Sequence, residues 1–153
     1  MKQQIAPLSE SERRWITKQR EQASRFVDAY SSTDSGQPFT LDALDRAFEA
    51  WLATNETDSR LVNGVINCVG IAFGQFLVDS AGLSWVIATD QHGTDLAVHG
   101  LPGKGDVLVY PANFVAKRWE RREKNFLGKS FRQIALQVDA VGLANTAKGS
   151  AKP

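Results

Sequence analysis

The sequence predicts an α+β fold: three N-terminal helices, a three-stranded antiparallel β-meander and two C-terminal helices, with a central helix packed on the sheet. Three observations carry this expectation. Residues 83–99 gather β-branched and aromatic side chains around a turn dipeptide, His92-Gly93, which marks a hairpin. Both flanks carry apolar residues at helical spacing. Residues 62–78 are apolar nearly all round, the pattern of a helix covered on most sides.

A length of 153 residues suits one domain with a single core, expected over 9–142 between a flexible N-terminus (1–8) and a disordered tail (143–153). Ser9-Glu-Ser-Glu12 fits a capping box, in which Ser and Glu each satisfy an orphan amide of the other's end. Trp15, Ile16, Ala23, Phe26, Val27 and Tyr30 then recur as the inner stripe of a first helix. Residues 31–39 hold Ser, Gly and Pro and read as a loop. Thr40 is placed to cap a second helix with Leu41, Leu44, Phe48, Trp51 and Leu52 turned inward. The third helix spans about 58–80, and Gly82 is placed to end it. Gly70 and Gly74 stand one turn apart in it, each costing about 1 kcal/mol against Ala. Close approach by another element is the expected compensation; a groove lined by Asn63 and Asn67 is the alternative.

A tight turn at His92-Gly93 would pair Asp90 with Asp95 and Ile87 with Val98. Trp85, Ile87, Thr89, Leu96 and Val98 then share the core face, and Asp90, Asp95 and His99 the other. Residues 100–106 are a Gly-rich connection whose spacing does not match a phosphate loop. Residues 107–110 form a third strand, stopped by Pro111, which cannot donate to a ladder. A fourth helix from about Ala112 turns Val115 and Trp119 inward. A last helix over 130–141 turns in Phe131, Ile134, Ala135 and Val138.

Charge and composition narrow the function classes. Lys and Arg number 18 against 17 Asp and Glu, so no global field points to nucleic acid or a membrane surface. The single cysteine, Cys68, forms neither an internal disulfide nor a Cys-rich metal site. No charged leader precedes an apolar run, and the apolar segment 62–78 is interrupted by Asn63, Asn67, Gln75 and three glycines. A buried helix and a cytoplasmic location are expected, with no membrane partner, no cofactor and no metal.

Candidate binding residues fall in three places. Asp90, His92, Asp95 and His99 pair both histidines with carboxylates, the residue types that serve as metal ligands or a general base. Along an extended strand His92 and His99 lie about 20 Å apart at about 3.3 Å per residue, so turn carboxylates and a partly exposed His99 are the favoured reading. Residues 117–124 place five cations on a helix, and Lys117, Arg118, Arg121 and Arg122 could grip anions. Glu120 and Glu123 are interleaved, and Glu120 to Lys124 has ion-pair spacing, so a solvated face is favoured, with Lys117 or Arg118 available to neutralise Asp90 or Asp95. Tyr110 and Asn113 flank Pro111 at a strand-to-helix junction, where Asn113 is the expected cap. Trp85, Gly70, Gly74, Gly93, Pro111 and Trp119 are expected to be structural.

Gly70-x-x-x-Gly74, Gly82-Leu-x-Trp-Val, Ala88-Thr-Asp-x-x-Gly-Thr-Asp-Leu-Ala-Val98, Tyr110-Pro111 and Val115-Ala-Lys-Arg-Trp119 together resemble a bacterial family catalogued as a domain of unknown function, family number 3806. The similarity covers roughly residues 60–135 and is compatible with the Ser-Glu-Arg-x-Trp start of the first helix; His92 departs from the family's acidic-aromatic turn. The resemblance implies no mechanism. No Gly-x-Ser-x-Gly elbow, His-Glu-x-x-His pair, dinucleotide fingerprint or Cys nucleophile supplies one. The leading expectation is therefore a small non-catalytic protein that binds another protein, an immunity protein neutralising a toxin being the concrete version. The alternatives are an enzyme or small-ligand or anion-binding domain using the hairpin end and basic helix, and nucleic-acid binding through 117–124.

Overall fold

The computed structural model describes residues 4–31, 38–101, 104 and 106–150, the stretch 141–150 by its backbone. In chain order it runs β1 (Gln4–Ala6), α1 (Glu10–Tyr30), α2 (Leu41–Leu52), α3 (Ser59–Ala81), β2 (Ser84–Asp90), β3 (Gly93–Gly100), β4 (Val107–Val109), α4 (Pro111–Glu120) and α5 (Leu127–Ser150). The class is α+β, but the antiparallel sheet has four strands, ordered β1-β2-β3-β4, instead of three. Gln4, Ile5 and Ala6 pair with Thr89, Ala88 and Ile87, so part of the segment expected to be loose is an edge strand. Three residues are too few to display a period-two pattern, and their partner lies far along the chain.

The helix ends follow local chemistry. The Ser9 hydroxyl accepts from the Glu12 amide, and the Ser9 amide donates to Glu12 Oε1 at 2.6 Å. That bond holds the Glu12 carboxyl below its ordinary range. Thr40 accepts from the Ala43 amide at 3.1 Å, and Asp58 caps α3 through the amides of Arg60 and Leu61. At the other end of α3, Gly82 takes the left-handed conformation, φ +77°. On α1, Ile16, Ala23, Phe26 and Val27 are buried, whereas Trp15 and Tyr30, assigned to the same inner stripe by spacing, sit at its edges and reach the surface.

Helix α3 is the hub: α1, α2, α4, α5, β2 and β3 all pack on it. Its length and hydropathy would suffice to cross a membrane; in this fold 56% of that stretch is buried by its neighbours. Leu61, near its start, remains exposed. A Cβ at Gly70 would lie 2.7 Å from Ala112 Cα, and one at Gly74 would lie 2.4 Å from Trp85 Cη2 and 2.9 Å from Pro111 Cγ. The α4 start and the Trp85 indole therefore occupy space that only glycine leaves open.

The hairpin turns two residues earlier in register than expected. Asp90 pairs with Gly93, Thr89 with Thr94, Ala88 with Asp95, Ile87 with Leu96 and Trp85 with Val98, so Gln91 and His92 form the turn. Asp90 Oδ1 accepts from the His92 amide at 2.7 Å, closing the reversal before Gly93, whose φ of +128° opens β3. A shift of two keeps every side chain on its assigned face. Trp85 meets α3, and Val98 joins the core.

Pro111 is the first residue of α4, where its missing N–H costs nothing. The cap position is Tyr110, with no side-chain cap bond, so Asn113 lies inside the helix and does not cap it. Helix α4 ends at Glu120, Arg121 is its C-cap, and Arg122 takes φ +53°, which breaks the single basic helix expected over 117–124. Lys124 accordingly faces Glu49 on α2, at 4.0 Å, instead of Glu120. Helix α5 starts before residue 130 and carries helical backbone through Ser150, across most of the segment expected as a tail. Residues 1–3, 32–37, 102, 103, 105 and 151–153 lie outside the described residues, and with them parts of the expected flexible start, loops and tail.

Candidate functional site

At the hairpin end each carboxylate is used locally. Asp90 holds the turn through His92, Asp95 Oδ1 accepts from the Leu96 amide at 2.8 Å, and the hydroxyls of Thr89 and Thr94 meet at 2.9 Å. The register change removes the direct opposition of Asp90 and Asp95, since Asp95 faces Ala88. Among the described residues no ion pair joins either aspartate to Lys117 or Arg118. His99, expected to be partly exposed, is buried, and its Nε2 lies 2.9 Å from Asp106 Oδ1. Among the described residues no three His, Cys, Asp or Glu side chains are grouped to hold a metal ion.

The cations of the α4 end divide into two kinds. Arg118 turns inward: its guanidinium carbon is 3.4 Å from the Phe114 ring centroid and 5.8 Å from that of Phe126. Its Nη1 donates to the Phe114 carbonyl at 3.1 Å, and burial lowers its pKa. Phe114 in turn stacks on Phe73 of α3, ring centroids 5.1 Å apart, so Arg118 caps an aromatic column in the manner of a cation–π contact. Trp119 packs against the core, with the Arg122 guanidinium 5.2 Å from its ring. Lys117 and Arg121 project into solvent. The four cations therefore do not converge on one point.

A concave feature lies elsewhere, in a groove of about 450 Å³ between α1 and α3. Phe39 and Phe76 line it with ring centroids 6.0 Å apart at 67°, and Ala72 continues the apolar floor. Arg20 and Glu21 of α1 and Gln75 and Asp79 of α3 supply the polar wall. The Trp85 indole N–H donates to Gln75 Oε1 at 2.9 Å, and Gln75 Nε2 donates to Asp79 Oδ1 at 2.8 Å. The indole thereby fixes which way the Gln75 amide points, and that amide fixes the Asp79 carboxylate at the mouth. Thr17 and Glu21 also border a second, shallower concavity on α1 that contains Trp15.

None of these groove residues was singled out by sequence. Two signals were present: Gln75 and Asp79 interrupt an apolar helix at i and i+4, and an indole packed against that helix needs an acceptor. Their meeting depends on where Trp85 crosses α3.

Against known proteins, a family described as a domain of unknown function (DUF3806) matches residues 41–131. A search of curated proteins found no match. A crystal structure from Bacteroides thetaiotaomicron VPI-5482 superposes with a TM-score of 0.65 at 12% sequence identity. The alignment covers 86% of this chain and 47% of that one, so this chain spans about half the length of that protein, and the likeness is one of fold.

Proposed function

The chain belongs to the DUF3806 family, and for this member we propose a small non-catalytic protein that acts by binding another protein, in its most concrete form an immunity protein that neutralises a toxin. The observation that supports it is the surface of α1. There the 36% exposed Trp15 and the Phe39–Phe76 groove sit in two concavities that share Thr17 and Glu21. An aromatic anchor and an apolar floor inside a rim of both charges is the composition of a protein interface, where Trp and Arg carry much of the binding energy. Lys18, Arg20 and Glu21, exposed along the same helix, supply a rim that would set orientation and specificity. The expected setting is the cytoplasm.

The test is capture from the native host with tagged protein, wild type beside Trp15→Ala. A stoichiometric partner that the variant retains at least about tenfold more weakly is the expected result, since truncating a central interface Trp costs about 2 kcal/mol or more. Absence of a stoichiometric partner under several conditions, or capture indifferent to the Trp15 change, overturns the proposal. For the immunity form, the gene beside this one should encode a toxin whose lethality co-expression of this chain suppresses.

A further inference from the structure

The α1–α3 groove holds a carboxylate whose position is set before any partner arrives. Asp79 Oδ1 is engaged by Gln75 Nε2, and Gln75 cannot flip its amide without losing the Trp85 indole, because the indole only donates and needs the amide oxygen. With its oxygen held by the indole, Gln75 turns Nε2 toward Asp79, whose Oδ1 accepts from it. Beside it are two aromatic rings, Phe39 and Phe76, and across the groove stands Glu21. Two carboxylates face one cation, Arg20, and among the described residues neither Asp79 nor Glu21 is in an ion pair.

A preset carboxylate beside aromatic faces is the chemistry that recognises a planar cation, by charge-assisted hydrogen bonds at its edge and cation–π contact on its face. The protein already makes the second of these contacts internally, with Arg118 on Phe114. We infer that the α1–α3 groove receives an arginine side chain of the partner protein, its guanidinium bonded by Asp79 and stacked against Phe39 and Phe76. The inference rests on the protein-binding reading above and names the chemistry of the partner's anchor. A guanidinium suits the site better than an ammonium because its flat face can lie on a ring while its edge donates to the carboxylate.

The experiment is an NMR titration of the full chain, following the Trp85 indole and Gln75 side-chain amide signals. The probes are N-acetyl-L-arginine methylamide and its norleucine and glutamate counterparts. Saturable shifts of both signals with the arginine probe are expected, weakened about tenfold in Asp79→Asn, since a hydrogen bond to a charged group is lost. Asparagine keeps an oxygen for Gln75, so the variant's indole signal should stay in place, separating loss of charge from loss of structure. No saturable shift, equal shifts with norleucine, or undiminished binding by Asp79→Asn overturns the inference. Arginine binding without a captured partner would count against the protein-binding reading and leave the groove's cation chemistry standing. A captured partner released by Trp15→Ala but indifferent to Asp79→Asn would do the reverse.

Discussion

Cys68 shows at the scale of one residue how burial rewrites a side chain's chemistry. Its thiol is buried in α3, donates to the Val65 carbonyl at 3.5 Å, and has its pKa pushed up to about 11 from an ordinary 9.0, mainly by desolvation. The reactive thiolate is therefore scarce in the folded protein at neutral pH. Modification by a thiol reagent at about pH 8 should proceed at a rate set by unfolding and rise sharply in urea; rapid native labelling would contradict the buried position. Because the folded value is raised, the thiol's contribution to stability is complete below the unfolded value and is lost as pH climbs from 9.0 through about 11. The sequence places Cys68 on an apolar helix, but its burial depends on neighbours from other segments.

Helix α3 sets three glycines in three environments, and they predict opposite outcomes for the same substitution. Gly64 has nothing within 4 Å of a built Cβ, so Gly64→Ala should stabilise by about 1 kcal/mol through helix propensity. At Gly70 the new methyl would meet Ala112 backbone at 2.7 Å and the Pro111 carbonyl oxygen at 3.0 Å, which must move. Gly70→Ala should therefore destabilise by about 1–3 kcal/mol despite the same propensity gain. Urea midpoints of the two variants, on opposite sides of wild type, check this. Spacing made the close approach at Gly70 and Gly74 foreseeable, and chemistry at the ends made the caps Ser9, Thr40 and Gly82 readable. The hairpin register was not readable, because both His92-Gly93 and Gln91-His92 preserve the alternation of faces; the observed one has the His92 amide donating to Asp90 and the Thr89 and Thr94 hydroxyls meeting across the strands.

At the scale of the whole molecule, one buried carboxylate joins α2 to α5. Asp45 is 8% exposed, and its two oxygens accept from the amides of Leu127 and Gly128 at 2.9 Å each, capping α5 from a residue far back in the chain. Asp45→Ala would leave both amides unpartnered and should cost about 1–3 kcal/mol in chemical denaturation. Burial is the largest influence on its pKa and raises it, against the lowering effect of the Gly128 and Leu127 amides. The native state therefore favours the protonated form, a contribution complete below the unfolded value that fades as pH rises through the raised native one. Asp45→Asn cannot ionise and should lack the decline that wild type shows as pH rises above the ordinary carboxylate value of 3.8, while losing one of the two amide bonds. In the sequence Asp45 looks like one more polar position on an amphipathic helix, since its partners are set by how two distant segments pack.

What the chain's own order of residues determined is much of what neighbours within a turn or two govern: the caps at Ser9, Thr40 and Gly82, the apolar hub, the paired faces of the hairpin, and the family resemblance that residues 41–131 go on to show. What tertiary structure alone decided is every meeting of segments. The edge strand at Gln4–Ala6, the His99–Asp106 contact across the β3–β4 connection, the Asp45 cap and the Trp85–Gln75 bond each join groups that lie on different elements or across a loop. Local periodicity reports which way a side chain points from its own backbone. It does not report the crossing of another element above it, and the groove proposed as the binding site exists only at such a crossing.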